Sequence, residues 1–225
     1  MMKPSSFVAA AAIAFMGTAA AQIPCFESNR GPNLNMTYGS VTQRTLPFAF
    51  PTPAGPVSTI SISSQGFVWL GANGNPGLVV NPAGFASSAR IAAMWAILDV
   101  QLGGPGVFYN TFPATGSDPA RAVITWEESD AVGGGIVLAQ LQMLGDGRVY
   151  IHHDANNVYT SGSAIVGISG FGGYAPVDLS TASWQSLDSG TDPGLFDHMP
   201  FVVNVGPTYD LAGTTSTAPP MPSSD

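Results

Sequence analysis

Glycine and proline interrupt this chain about every 5 to 15 residues, too often for a long helix to grow between them. What lies between the interruptions is short and rich in β-branched and aromatic residues. That pattern predicts strands over 36–42, 57–63, 67–70, 107–112, 122–127, 136–144, 148–153, 163–169 and 201–205. The segment Pro47-Phe48-Ala49-Phe50-Pro51 reads as an edge strand, because its prolines cannot donate to a central ladder. Only Ser87–Leu98, SSARIAAMWAIL, has a composition that allows a short helix, and Trp95–Val100 within and beyond it reads equally well as a buried strand. The expected class is all-β, an antiparallel β-sandwich or partly closed barrel.

Two hairpins anchor that reading. In TISISSQGFVWLG, Ile60 and Ile62 alternate with Ser61 and Ser63, which predicts one buried face and one wet face. Gln65-Gly66 supplies a two-residue turn, glycine taking positive φ without steric cost. Phe67 and Trp69 then share one face of the returning strand and Val68 and Leu70 the other, as in a central strand covered on both sides. In AQLQMLGDGRVYIHH, Gly145-Asp146-Gly147 turns the chain between alternating runs. No repeat of 20–50 residues points to a propeller or solenoid.

The first 21 residues read as a signal peptide. Lys3 gives a positive start, Phe7 to Met16 an apolar run too short to span a bilayer, and Ala19 and Ala21 a small-x-small cleavage site before Gln22. The expected destination is secretion, extracellular or at the cell envelope. Removing the leader takes away the only lysine, leaving five scattered arginines against 14 acids, a net of −9. Such a surface repels phosphate backbones, and no basic helix or patch suits an anionic membrane. Residues 22–212 form one expected domain, and 213–225, rich in Ser, Thr and Pro, a disordered tail. Cys25 is alone, so no internal disulfide staples the fold.

An ordered series of segments carries a resemblance: LPFAFP, SSQGFVWLG, IAAMW, VFYN, RAVITWEE, LQMLGDGRVYI and AIVGISG. Between Leu46 and Gly170 the chain resembles the nidogen-like extracellular (NIDO) domain family. The resemblance implies a β-rich extracellular module of adhesion or matrix contact without enzymatic activity. Gln65 stands where the family has a turn asparagine. The acid that family members carry close behind their tryptophan is here delayed to Asp99.

Few residues suggest chemistry. His152 and His153 are neighbours on a strand, so they face opposite ways; a solvated strand end is the ordinary reading. No Gly-x-Ser-x-Gly elbow occurs. Glu127 or Glu128 with Asp99 or Asp130 would make an acid–base pair only at a spacing that sequence does not give. If any ion binds, the oxygen-rich loop holding Asp188, Asp192 and Asp197 suits calcium, although such residues are ordinary in loops. The sequence thus favours a secreted, non-catalytic binding, adhesion or surface-structural module. The alternative is a carbohydrate-binding β-sandwich, or less readily a carbohydrate-cleaving one, using Trp184 or Trp69 as a stacking platform. Its partner would be an extracellular protein or a glycan, and exposed sheet edges would favour self-association.

Overall fold

The computed structural model describes residues 26–154, except 53, 81–83, 86–87, 117 and 132–133, together with 164–169 and the strand pairs at 177–178 and 203–204. The candidate residues Ala19, Ala21, Gln22, Cys25, Trp184, Asp188, Asp192 and Asp197 lie outside these, as does the tail. Two antiparallel sheets make up the fold, and neither closes into a barrel. The first joins β1 (Val41–Phe50), β2 (Val57–Ser63), β3 (Phe67–Leu70), β4 (Arg90–Trp95), β10 (Ile165–Ser169) and β11 (Val177–Asp178) in the order β1-β2-β3-β4-β10-β11. The second runs β12 (Val203–Asn204), β9 (Arg148–His153), β8 (Ile136–Leu144), β7 (Arg121–Asp130) and β5 (Leu98–Asp99), with β6 (Gly106–Phe112) also on β7. β5 and β6 share one edge of β7, lying along Ser129–Asp130 and Arg121–Glu127 in turn. A 3₁₀ turn, Val100–Leu102, separates them.

The inner faces meet as the period-2 pattern requires. Ile60, Ile62, Val68, Ile91 and Ala93 from one sheet pack with Ile124, Trp126, Leu141, Met143, Val149 and Ile151 from the other. β3 is interior and covered on both sides: Val68 joins this core, while Phe67 and Trp69 join a second cluster on the outer face with Phe85, Ala92, Trp95 and Ile165. Within the segment that composition allowed as a helix, Arg90–Trp95 forms strand β4 and Leu98 opens β5. β4 carries a bulge, Ala92–Trp95 spanning one residue more than Ile165–Gly167 opposite. Ala93 and Met94 therefore both reach the inner core, and Trp95 is turned outward. Pro47 sits in β1, on the sheet edge, within the register break between Thr45 and Phe50.

Three local expectations are corrected. The strand expected from residue 36 starts at Val41, because Thr37 and Ser40 close a turn first, with Ser40 N donating to Thr37 O. The first hairpin loop has three residues rather than two, since Ser63 pairs with Phe67; the second keeps the expected Gly145-Asp146-Gly147 between Leu144 and Arg148. Each loop ends on a left-handed glycine, Gly66 at φ +79° and Gly147 at φ +92°. At Gly66 a Cβ would also stand 1.9 Å from Met94 O, so the position is closed to a side chain twice over. Finally, the serine face of β2 is not wet. Ser61 and Ser63 are fully buried under a loop over residues 71–80, which their hydroxyls help to hold.

The chain ahead of β1 straps the second sheet. Glu27 pairs with Arg121, its backbone N–H donates to Gln140 Oε1 at 2.8 Å, and Gln140 Nε2 returns a bond to Glu27 O at 3.0 Å. Arg30 pairs with Glu127 and lies over the Phe108 ring. Farther along, Leu34 N donates to Val107 O, which covers the β6 edge.

Candidate functional site

The outer face of the first sheet carries the most developed site. The side chains of β3 and β4 that point away from the sandwich include three aromatics and one cation, Phe67, Trp69 and Trp95 beside Arg90, with Trp69 in cross-strand register with Arg90. Loop 71–80 runs above them as a roof. Four side-chain donors fasten it, each to a main-chain carbonyl: Ser61 Oγ to Gly71 O (2.9 Å), Trp69 Nε1 to Asn75 O (2.8 Å), Ser63 Oγ to Pro76 O (2.7 Å) and Trp95 Nε1 to Gly77 O (2.6 Å). Within the roof, Asn73 Oδ1 accepts from Asn75 N and Asn75 Oδ1 from Gly77 N. Gly77, at φ +68°, lets the roof descend onto the aromatics, since a Cβ there would stand 2.7 Å from Phe67 Cζ.

Beneath and beside the roof lies a cavity of about 460 Å³. Trp69, Trp95 and Arg90 line its depth, Asn73 and Asn75 its polar side, and Leu78 and Val79 stand exposed on its lip. Its size falls within the range of small-ligand sites, ~300–1,000 Å³. Arg90 is 3% exposed. Its guanidinium carbon is 3.9 Å from the Trp69 ring centroid, 4.6 Å from that of Trp95 and 5.4 Å from that of Phe67. Nη2 donates to Gly84 O at 2.5 Å, and Nε is buried without a partner. No carboxylate among the described residues forms an ion pair with it. Burial lowers its pKa from 12.5 to about 10, so the charge stays on at neutral pH.

Trp69 therefore lines the cavity as a wall, 4% exposed, its indole N–H engaged by the roof and its face covered by Arg90. Trp95 and Trp126 are equally enclosed, so among the described tryptophans none offers an open ring face to a sugar. Arg90 is the residue that pattern reading passed over. Its signal was isolation: it is the only charged residue between Arg44 and Asp99, set in an otherwise uncharged run.

The carboxylates and histidines are held elsewhere. Glu127 and Glu128 face opposite ways, as adjacent strand residues must: Glu127 outward to Arg30, Glu128 inward with both carboxyl oxygens buried and unpartnered. Burial first, and the nearby Asp99 charge second, push the Glu128 carboxyl well above the usual range, so it is held neutral. Asp130 is fully buried too, and a chain polymer has no access to either. Asp99 caps the 3₁₀ turn, accepting from Gln101 N at 2.8 Å. Gln65, in place of the family's asparagine, is fully buried and binds both backbone groups of Leu98, Nε2 to the carbonyl (2.8 Å) and Oε1 from the N–H (3.2 Å). It ties the first hairpin to β5 of the opposite sheet.

The histidine strand end is not solvated. His152 turns outward, buried and stacked on Tyr150, whereas His153 turns inward with Nε2 2.7 Å from Ala93 O of the facing sheet. Desolvation lowers the His153 pKa from 6.5 to about 4, the Ala93 carbonyl opposing it in part. At neutral pH the ring is uncharged, and Nε2 carries the proton it donates. Among the described residues no three His, Cys, Asp or Glu side chains gather as metal ligands, and no helix is long and apolar enough to cross a membrane.

No curated protein and no solved structure gives a significant match to the chain. A family model described as NIDO related matches residues 18–194, over three quarters of the 225. The match extends past Leu46–Gly170 at both ends, taking in the N-terminal strap and the residues just after β11. The chain belongs to the NIDO-related family.

Proposed function

We propose that this protein is an exported, non-catalytic binding module, and that it binds through the roofed cavity on the outer face of the first sheet. The observation that carries the reading is the cavity itself: a partly open volume between a fastened loop and a sheet, floored by a buried cation. A fold built only for rigidity would close that space with apolar side chains, as it does on the inner face. Export rests on the leader at residues 1–21 and on membership of a family of extracellular modules. Trp184 and the Asp188, Asp192 and Asp197 loop are kept as secondary candidates, for a sugar ring and for calcium.

The test is a thermal-shift screen of the chain secreted from its full-length gene, against small molecules and soluble glycans, with and without calcium. Hits are followed by indole fluorescence. Ligands that raise the melting temperature and perturb the fluorescence of Trp69 and Trp95 support the reading. A blank across all classes, with the protein folded, overturns it in favour of a purely structural role. Binding abolished by a chelator would move the site to the aspartate loop.

A further inference from the structure

We propose that the cavity takes a small monocarboxylate carried on a ring, its carboxylate meeting Arg90 and its ring lying against the apolar lip of Leu78 and Val79. This rests on the binding reading above and gives it a ligand class. Four observations converge on it.

A buried guanidinium costs free energy unless it is paired and hydrogen-bonded. Arg90 has aromatic faces and one carbonyl, yet no carboxylate among the described residues, and its Nε is left over. The neighbouring residues outside the described set, Asn81, Pro82, Ala83, Ala86 and Ser87, carry no acid either. The local chain therefore supplies no counter-ion, although the protein has 14 acids to place. Second, the remaining polar side chains of the lining are rich in donors. Asn73 and Asn75 have each committed an Oδ1 lone pair to a roof N–H group, their amide Nδ2 groups are donors only, and Ser88 adds a hydroxyl that can donate. A donor-rich lining around a guanidinium favours an anion, and the guanidinium fork matches the two oxygens of a carboxylate.

The third observation is charge: the chain's net −8 repels polyanions and leaves a lone cation suited to a single negative charge. The fourth is shape. About 460 Å³ holds a ring-sized body with its substituents, and the rest of the lining is aromatic or aliphatic. An aromatic acid and a sugar acid present this same chemistry, a carboxylate on a six-membered ring.

The experiment is isothermal titration of the secreted full-length product with benzoate, with glucuronate, and with benzamide and glucose as the uncharged counterparts. Saturable binding of benzoate or glucuronate, with the uncharged counterpart at least about tenfold weaker, is the expected result, and the stronger of the two acids identifies the source. Arg90→Lys should weaken the acid by about tenfold and Arg90→Met should abolish it. Should Arg90→Met fail to fold, the acid–neutral comparison on the unaltered protein decides alone. Equal binding of the acid and its neutral counterpart, or binding of neither acid, overturns the proposal. If the broad screen finds uncharged ligands in this cavity while both acids stay silent, the carboxylate assignment falls and the binding module stands.

Discussion

Replacing His153 by glutamine should flatten the acid side of this protein's stability profile. The ring lies on the inner face of β9 and donates to Ala93 O, so protonating it places a charge between two sheets. The folded pKa is about 4 against an ordinary 6.5. In that interval the unfolded chain binds a proton that the folded chain refuses. Stability is whole above about pH 6.5, falls as pH is lowered, and loses nothing further from this group once pH passes below about 4. The gap between the two values corresponds to ~3 kcal/mol when the loss is complete. Glutamine retains an N–H donor for Ala93 O and does not titrate. Urea unfolding of both proteins at half-unit steps from pH 4 to pH 8 gives the difference directly, with the other histidines and the carboxylates cancelling between them. The wild type minus variant difference should fall by ~3 kcal/mol between pH 7 and pH 4. Parallel profiles would refute the reasoning and place the imidazole in water.

Two further outcomes follow from the interior. Glu128→Gln should stabilise the protein increasingly as pH rises above the ordinary carboxyl range, the opposite sign to His153. Its folded carboxyl holds a proton that the unfolded chain releases, so the wild type loses stability with rising pH while the amide does not; the same urea series at pH 5 and pH 8 measures it. Gly66→Ala should prevent folding outright, because the methyl meets Met94 O at 1.9 Å on a backbone of φ +79°. The reading is checked by the yield of soluble protein and by near-ultraviolet circular dichroism, and a soluble, native-like variant would show that the hairpin has room to move.

Alternation made most of the frame legible. Val57–Ser63, Phe67–Leu70, Ile136–Leu144 and Arg148–His153 take the bounds that their residues predict, because each has a consistent inside and outside. β4 escaped assignment because its bulge breaks the period: Ala93 and Met94 face the same way, and a run of small apolar residues then fits helix and strand alike. The serine face of β2 misled for another reason. Polar residues at every second position predict water, but here their hydroxyls hold a distant loop, and nothing local announces a contact spanning 10 to 13 residues. The cavity was illegible for the same cause, since its roof and floor come from different segments. What the sequence did show is the isolated Arg90, the only charge between Arg44 and Asp99.

The way the roof is tied down bears on how this protein can diversify. All four anchors grip peptide carbonyls, at Gly71, Asn75, Pro76 and Gly77, and none grips a side chain of the loop. A peptide carbonyl is the same in every residue. Gly71 and Gly77, with left-handed backbones, and Asn73 and Asn75, whose Oδ1 atoms bond the roof's own N–H groups, are constrained; the loop's other letters can be rewritten while its path is inherited from the sheet. Descendants of one gene could exchange the lip of the cavity at Leu78 and Val79, and with it the taste in ligands, without disturbing the machinery that folds the domain.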